Sequence, residues 1–142
     1  MMNTSTLLVA YDGSETSKKA LLKAKEIAEQ NNETTLLVAT VWDLPNASYE
    51  AHNYQYMTEI YQKEAEEKIK EAEELIQDLP NEKQTFILKG HAANTIIEFA
   101  EKKEVDLIVL GNRGLGGIKR FFLGSVSFHV VQKAPCDVFV VK

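Results

Sequence analysis

The chain carries one cysteine, Cys136, so it holds no internal disulfide. A lone thiol fits a reducing compartment, and a cytoplasmic location is expected. Long apolar runs are missing as well. None approaches the roughly 20 residues that span a bilayer, so no membrane partner is expected. The opening MMNTSTLLVAYDGS has no basic stretch ahead of its apolar residues, unlike a secretory leader. Histidine is scarce: His52, His91 and His129 are scattered, with no metal-ligand spacing among them. Positive charge is in deficit, with 16 Lys and Arg against 21 Asp and Glu and a net charge of -5. That balance argues against nucleic acid or an anionic membrane as a partner. The most informative absence is local. Between residues 107 and 136 there is no Asp or Glu, yet Arg113, Lys119, Arg120 and Lys133 fall there. In an acidic chain this exception points to an anionic ligand.

What is present reads as a regular alternation. The 142 residues suit a single domain, 1–142, with a real core. Thr6 to Tyr11 is an apolar run closed by Asp12-Gly13, which predicts a buried strand and a turn. Ser14 is placed as a helix cap, and Ala20, Leu21, Ala24, Ile27 and Ala28 repeat at helical spacing after it. A second strand is expected over 34–42 and a loop over 43–53. The longest helix is expected from about Tyr54 to Asp78, with Glu64–Lys68 and Glu66–Lys70 as ion pairs on its solvated face. Thr85–Leu88 reads as a short strand, and the helix after it starts near His91. Leu107–Leu110 is the next strand, and a last helix carrying Val126, His129, Val130 and Val131 ends at Pro135. Asp137–Lys142 closes the chain as a strand. Strict alternation of strand and helix implies a parallel sheet with helices on both faces. Ligands of such sheets bind at the carboxyl ends of the strands, where the winding reverses.

The stretch from Asp106 to Ser127, DLIVLGNRGLGGIKRFFLGSVS, combines a strand, a glycine loop and a helix start. That combination suits phosphate, because backbone N–H groups and the helix dipole both favour negative charge. Two familiar nucleotide motifs fail. The P-loop pattern starting at Gly111 would need lysine where Gly117 stands, and the dinucleotide fingerprint starting at Gly114 would need glycine or alanine where Lys119 stands. What remains is glycine, two residues, glycine, nine residues, glycine, serine: Gly111, Gly114, Gly124, Ser125. With LLVAYDGSETSKKAL at the start and APCDVFVVK at the end, the whole chain resembles the universal stress protein family, in its ATP-binding branch.

That resemblance implies an α/β fold, a Rossmann-like sheet of five parallel strands in the order 3-2-1-4-5 with helices on both faces, similar to the adenine nucleotide alpha hydrolases. It implies ATP, ADP or AMP between the first and fourth strands, with Mg²⁺ held mainly by the phosphates. Asp12 is expected at the ribose or adenine side, and Val41 at the adenine through its backbone. Gly111, Arg113 and Gly114 would border ribose and phosphates, and Gly124, Ser125, Val126 and Ser127 would hold phosphates. Tyr11 stands where a smaller residue is common and would narrow the adenine side. The resemblance also implies a homodimer paired through Val138–Lys142.

Simpler roles stand beside these. Asp12 and Ser125 could serve as turn and helix caps, Phe121, Phe122 and Leu123 as packing residues, and Cys136 as a packed thiol. No nucleophile–base pair is visible, which favours binding over turnover. The expected function is a nucleotide-responsive stress-response protein. The alternatives are a slow ATPase or an autokinase using Ser125 or Ser127, and an interaction module that holds no nucleotide.

Overall fold

The computed structural model describes residues 5–44, 51–113 and 124–142. Five strands and four helices alternate through them. These are β1 (Thr6–Ala10), α1 (Glu15–Glu29), β2 (Thr35–Trp42), α2 (Ala51–Leu75), β3 (Lys83–Lys89), α3 (Ala92–Lys102), β4 (Leu107–Gly111), α4 (Ser125–Lys133) and β5 (Asp137–Val141). All neighbouring strands pair in parallel, in the order β3-β2-β1-β4-β5 expected from the resemblance.

The continuous apolar runs of the central strands follow from burial on both faces. Along β1, Leu7 and Val9 enter one layer with Ala20, Leu21, Ala24 and Ala28 of α1, Ile69 and Ala72 of α2, and Ile76 just past its end. Leu8 faces the other way, joining Ile96, Phe99 and Ala100 of α3 and Val130 of α4. Because β1 sits between β2 and β4, the chain leaves β1 toward one face of the sheet and leaves β4 toward the other. The carboxyl ends of β1 and β4 therefore border the crevice where the winding direction reverses.

The helix ends show why these segments stop where they do. Ser14 caps α1 as expected, its hydroxyl accepting the Ser17 N–H at 3.2 Å. The last helix stops at Ala134, whose extended backbone (φ -63°, ψ 146°) is the conformation forced on a residue before proline.

Several boundaries differ from expectation. The long helix begins at Ala51, inside the segment expected as loop, and ends at Leu75, with a turn over 76–78. The third strand extends to Lys83 and Lys89, because an edge strand pairs through its backbone whatever its side chains, here from Leu36↔Lys83 to Trp42↔Lys89. The ion pairs expected along α2 do not form. Among the described residues, the pairs are Lys18–Glu71, Lys23–Glu26 and Lys25–Asp78. Lys68 instead lies with its aliphatic stem beside Gly13.

Asn81 is a structural device that the sequence conceals. Its side chain is buried, and its amide donates to the carbonyls of Ala28, Asn31 and Thr34 at 2.9–3.0 Å. It thereby closes the end of α1 and the turn into β2 from a position about 50 residues away. No described helix is long and apolar enough to cross a membrane.

Candidate nucleotide site

A cavity of about 260 Å³ opens at the carboxyl ends of β1, β2 and β4, close to the lower end of the roughly 300–1,000 Å³ range of ligand pockets. Of the residues singled out from the sequence, Tyr11, Asp12, Val41, Gly111, Arg113, Gly124, Ser125, Val126 and Ser127 all line it. The topology thus brings together residues up to 116 positions apart, from Tyr11 to Ser127. Gly114 lies outside the described residues, as do Lys119, Arg120, Phe121, Phe122 and Leu123.

The floor comes from residues the sequence reasoning passed over. Ala10, Ala39 and Leu110 lie at or near the ends of their strands, and Ala92 and Ile96 of α3 close the side. The signal was present in principle: alanine interrupts the larger apolar residues in TLLVA and TLLVATVW, and a small side chain at a strand end leaves room above it.

Asp12 serves the turn before α1. Its Oδ1 accepts the Ser14 N–H at 2.9 Å, so its capping role and its place in the cavity wall coexist. Tyr11 departs from expectation. Its ring follows Leu7 and Val9 into the α1–α2 layer, rather than standing over the adenine side, because side chains alternate along a strand. Its hydroxyl donates to Glu71 of α2, which also lies 3.8 Å from Lys18. Burial first, then the hydrogen bond and charge of Glu71 and the nearby charge of Asp12, push the phenol well above its ordinary pKa.

Val41 owes its place to backbone direction. In β2, Thr35 donates to Ser5 and Ala39 accepts from Tyr11, whereas Leu36 donates to Glu82 and Trp42 accepts from Gly90. Odd-numbered residues therefore address β1 and even-numbered ones β3, as alternation in a ladder requires. The Val41 N–H and C=O point toward the β1 side, past the residue where β1 stops.

Gly111 is required for a reason other than phosphate contact. A Cβ there would lie 2.8 Å from the backbone carbon of Thr16, so the end of β4 can touch the first turn of α1 only without a side chain. The Thr16 hydroxyl then donates to the Arg113 carbonyl at 2.6 Å. The Arg113 Nε is buried without a hydrogen-bond partner among the described residues.

The start of α4 also differs from expectation. Gly124, not Ser125, is the N-cap, and it offers no side chain to the first turn. Ser125 is the first helical residue and is exposed. Ser127 is buried, and its hydroxyl donates toward the Asn112 carbonyl at 3.0 Å and the Gly124 carbonyl at 3.2 Å. The first N–H groups of a helix have no partner within it. In α4 those of Ser125, Val126 and Ser127 belong to residues of the cavity wall.

The sequence profile described as the universal stress protein family matches residues 3–142. The chain belongs to that family. A universal stress protein of Thermus aquaticus is 34% identical over 137 residues, covering 96% of this chain and 98% of the relative. Among solved structures, the universal stress protein UspA of Lactobacillus plantarum superposes with a TM-score of 0.86 at 28% identity, covering all of both chains. A universal stress protein in complex with cAMP superposes with a TM-score of 0.73 at 26% identity, covering 97% of each chain. This universal stress protein thus gathers nine of its ten sequence-predicted residues around one cavity, Gly114 lying outside the described residues.

Proposed function

We propose that this universal stress protein binds an adenine nucleotide in the 260 Å³ cavity and acts as a nucleotide-responsive regulator in stress. The observation that supports the reading is the first turn of α4, whose N-cap Gly124 offers no side chain and whose three N–H groups and positive dipole end belong to the cavity wall, which Arg113 also lines. These groups suit phosphate. The Val41 N–H and C=O suit the edge of adenine, which offers one acceptor and one donor side by side. A family member 26% identical is known in complex with cAMP, a ligand of the same class. Asp12 is the only carboxylate among the described lining residues, and its Oδ1 already accepts from Ser14. Mg²⁺ would then arrive on the phosphates of ATP, with few protein ligands. Among the described lining residues there is no histidine and Asp12 is the one carboxylate, which favours binding over hydrolysis or autophosphorylation.

Calorimetric titration of nucleotide-free protein with Mg-ATP and with AMP tests the reading. Saturable binding by the folded protein is expected. No heat at millimolar nucleotide, with mass analysis finding no nucleotide released on denaturation, would sink it.

We also infer a homodimer through β5. It is the margin of the sheet, and Phe139 on it is 39% exposed. An exposed strand edge invites pairing with a copy of itself. Light scattering on the full chain and on a form ending at Asp137 should show a dimer and a monomer, respectively. A full-length monomer would refute the pairing.

A further inference from the structure

His91 and His129 are 38 residues apart in the chain, yet the fold brings their rings together. His91 is the N-cap of α3, and its side chain makes no capping hydrogen bond there. His129 lies in the middle of α4, on the helix packed against α3. Their ring centroids are 6.4 Å apart with the planes inclined at 57°. Neither imidazole hydrogen-bonds to another described residue.

With a zinc–nitrogen bond of about 2.0–2.1 Å and a ring nitrogen about 1.1 Å from its centroid, two imidazoles on one ion have centroids about 5.2–6.4 Å apart. The lower figure is for a tetrahedral angle and the upper for a linear one. The observed spacing equals the linear limit and exceeds the tetrahedral one by about 1.2 Å, so the two side chains must turn toward each other to share an ion with added waters. We propose that His91 and His129 form a two-histidine site for a borderline divalent transition ion of the zinc type, lying across the seam between α3 and α4. Imidazole nitrogen suits zinc, nickel and copper(II), unlike the oxygen ligands preferred by magnesium or calcium.

Among the described residues, no third His, Cys, Asp or Glu joins the pair. Water therefore fills the remaining positions, and the site is open and exchangeable rather than a closed structural centre. Its position gives the ion a consequence. His91 immediately precedes Ala92, and His129 follows Val126 by three residues; Ala92 and Val126 both line the cavity. An ion held by the pair braces the two helices that form that wall. This assignment does not depend on what the cavity binds.

The test is calorimetric titration of nucleotide-free protein with zinc chloride at neutral pH, beside NMR of the imidazole resonances. One ion per chain is expected, with His91 and His129 signals shifting together and His52 unchanged. His91→Asn and His129→Asn, both checked for folding by circular dichroism, should each lose at least about tenfold in affinity, about 1.4 kcal/mol. Cys136→Ser should bind as the parent does, since burial pushes that thiol up and disfavours the thiolate a metal needs. The proposal is overturned by no saturable binding at about 1 mM zinc, the level of about -4 kcal/mol. It is equally overturned by binding that survives both histidine substitutions, or by binding lost in Cys136→Ser.

Discussion

Helices α1 and α4 both start where a central strand stops, β1 for the first and β4 for the second, yet their N-termini are finished differently. At α1 the chain supplies its own acceptors. The Ser14 hydroxyl takes the Ser17 N–H, and the Asp12 carboxylate takes the Ser14 N–H. At α4 the cap is Gly124, with no side chain. The serine that could have helped, Ser127, spends its hydroxyl proton on carbonyls rather than accepting an N–H. One helix start is closed by its own sequence, and the other is left open onto a cavity. An open helix N-terminus leaves donors without partners, and it is tolerated where solvent or a ligand can satisfy them.

The largest expected effect comes from the point where the end of β4 meets the first turn of α1. Gly111→Ala would push a methyl against the Thr16 backbone and should destabilise the protein by about 3 kcal/mol, the upper end for overpacking. Urea denaturation measures it; a loss under about 0.5 kcal/mol, the usual scatter of surface changes, would mean that the close approach is not needed.

Next in size is an exchange of character between the two starts. Gly124→Asp gives α4 the kind of cap that α1 has. Folding stability should rise by a few tenths of a kcal/mol. Nucleotide affinity should fall at least about tenfold, or about 1.4 kcal/mol, from repulsion of the phosphates. Equal affinity in the variant would show that the open turn is not the anion site. The reciprocal change, Ser14→Ala, should cost about 1 kcal/mol of stability by loss of the cap. It should barely alter nucleotide affinity, as titration of the folded variant will show.

The smallest effects separate two neighbouring serines. Ser127→Ala removes a buried hydroxyl bonded to Asn112 and Gly124 and should cost about 0.5–1.5 kcal/mol of stability. Ser125→Ala should leave melting unchanged and weaken nucleotide binding about threefold to tenfold, roughly one neutral hydrogen bond. If the two substitutions behave alike, the assignment of one serine to the scaffold and the other to the ligand fails.

Much of this arrangement was legible in the residues. The alternation of apolar runs and helical repeats yields the element order, and the 111–127 spacing brings the family and, with it, the strand order. The positions Asp12, Val41 and Gly124 were readable as cavity residues because they stand at strand ends or helix starts. Less readable were features in which chemistry depends on a partner far along the chain. Tyr11 looked like a wall over the adenine side, but its ring turns to the opposite layer, toward a glutamate 60 positions away. Gly111 looked like a phosphate glycine, yet its missing Cβ is demanded by Thr16. Asn81 carries no signal in its own neighbourhood of the buried three-way tie it makes.

The sequence by itself determined the periodicities: which segments could be strands buried on two faces, which could be helices, and where glycine, serine and proline would end them. Those are local properties, set by φ/ψ preference and by hydrophobic spacing over a few residues. Tertiary structure alone decided that the start of α4 faces a cavity, which layer Tyr11 joined and which two histidines became neighbours. Each of those outcomes depends on distances between segments that are separate in the chain. Such distances are set only when both layers of side chains pack against the sheet.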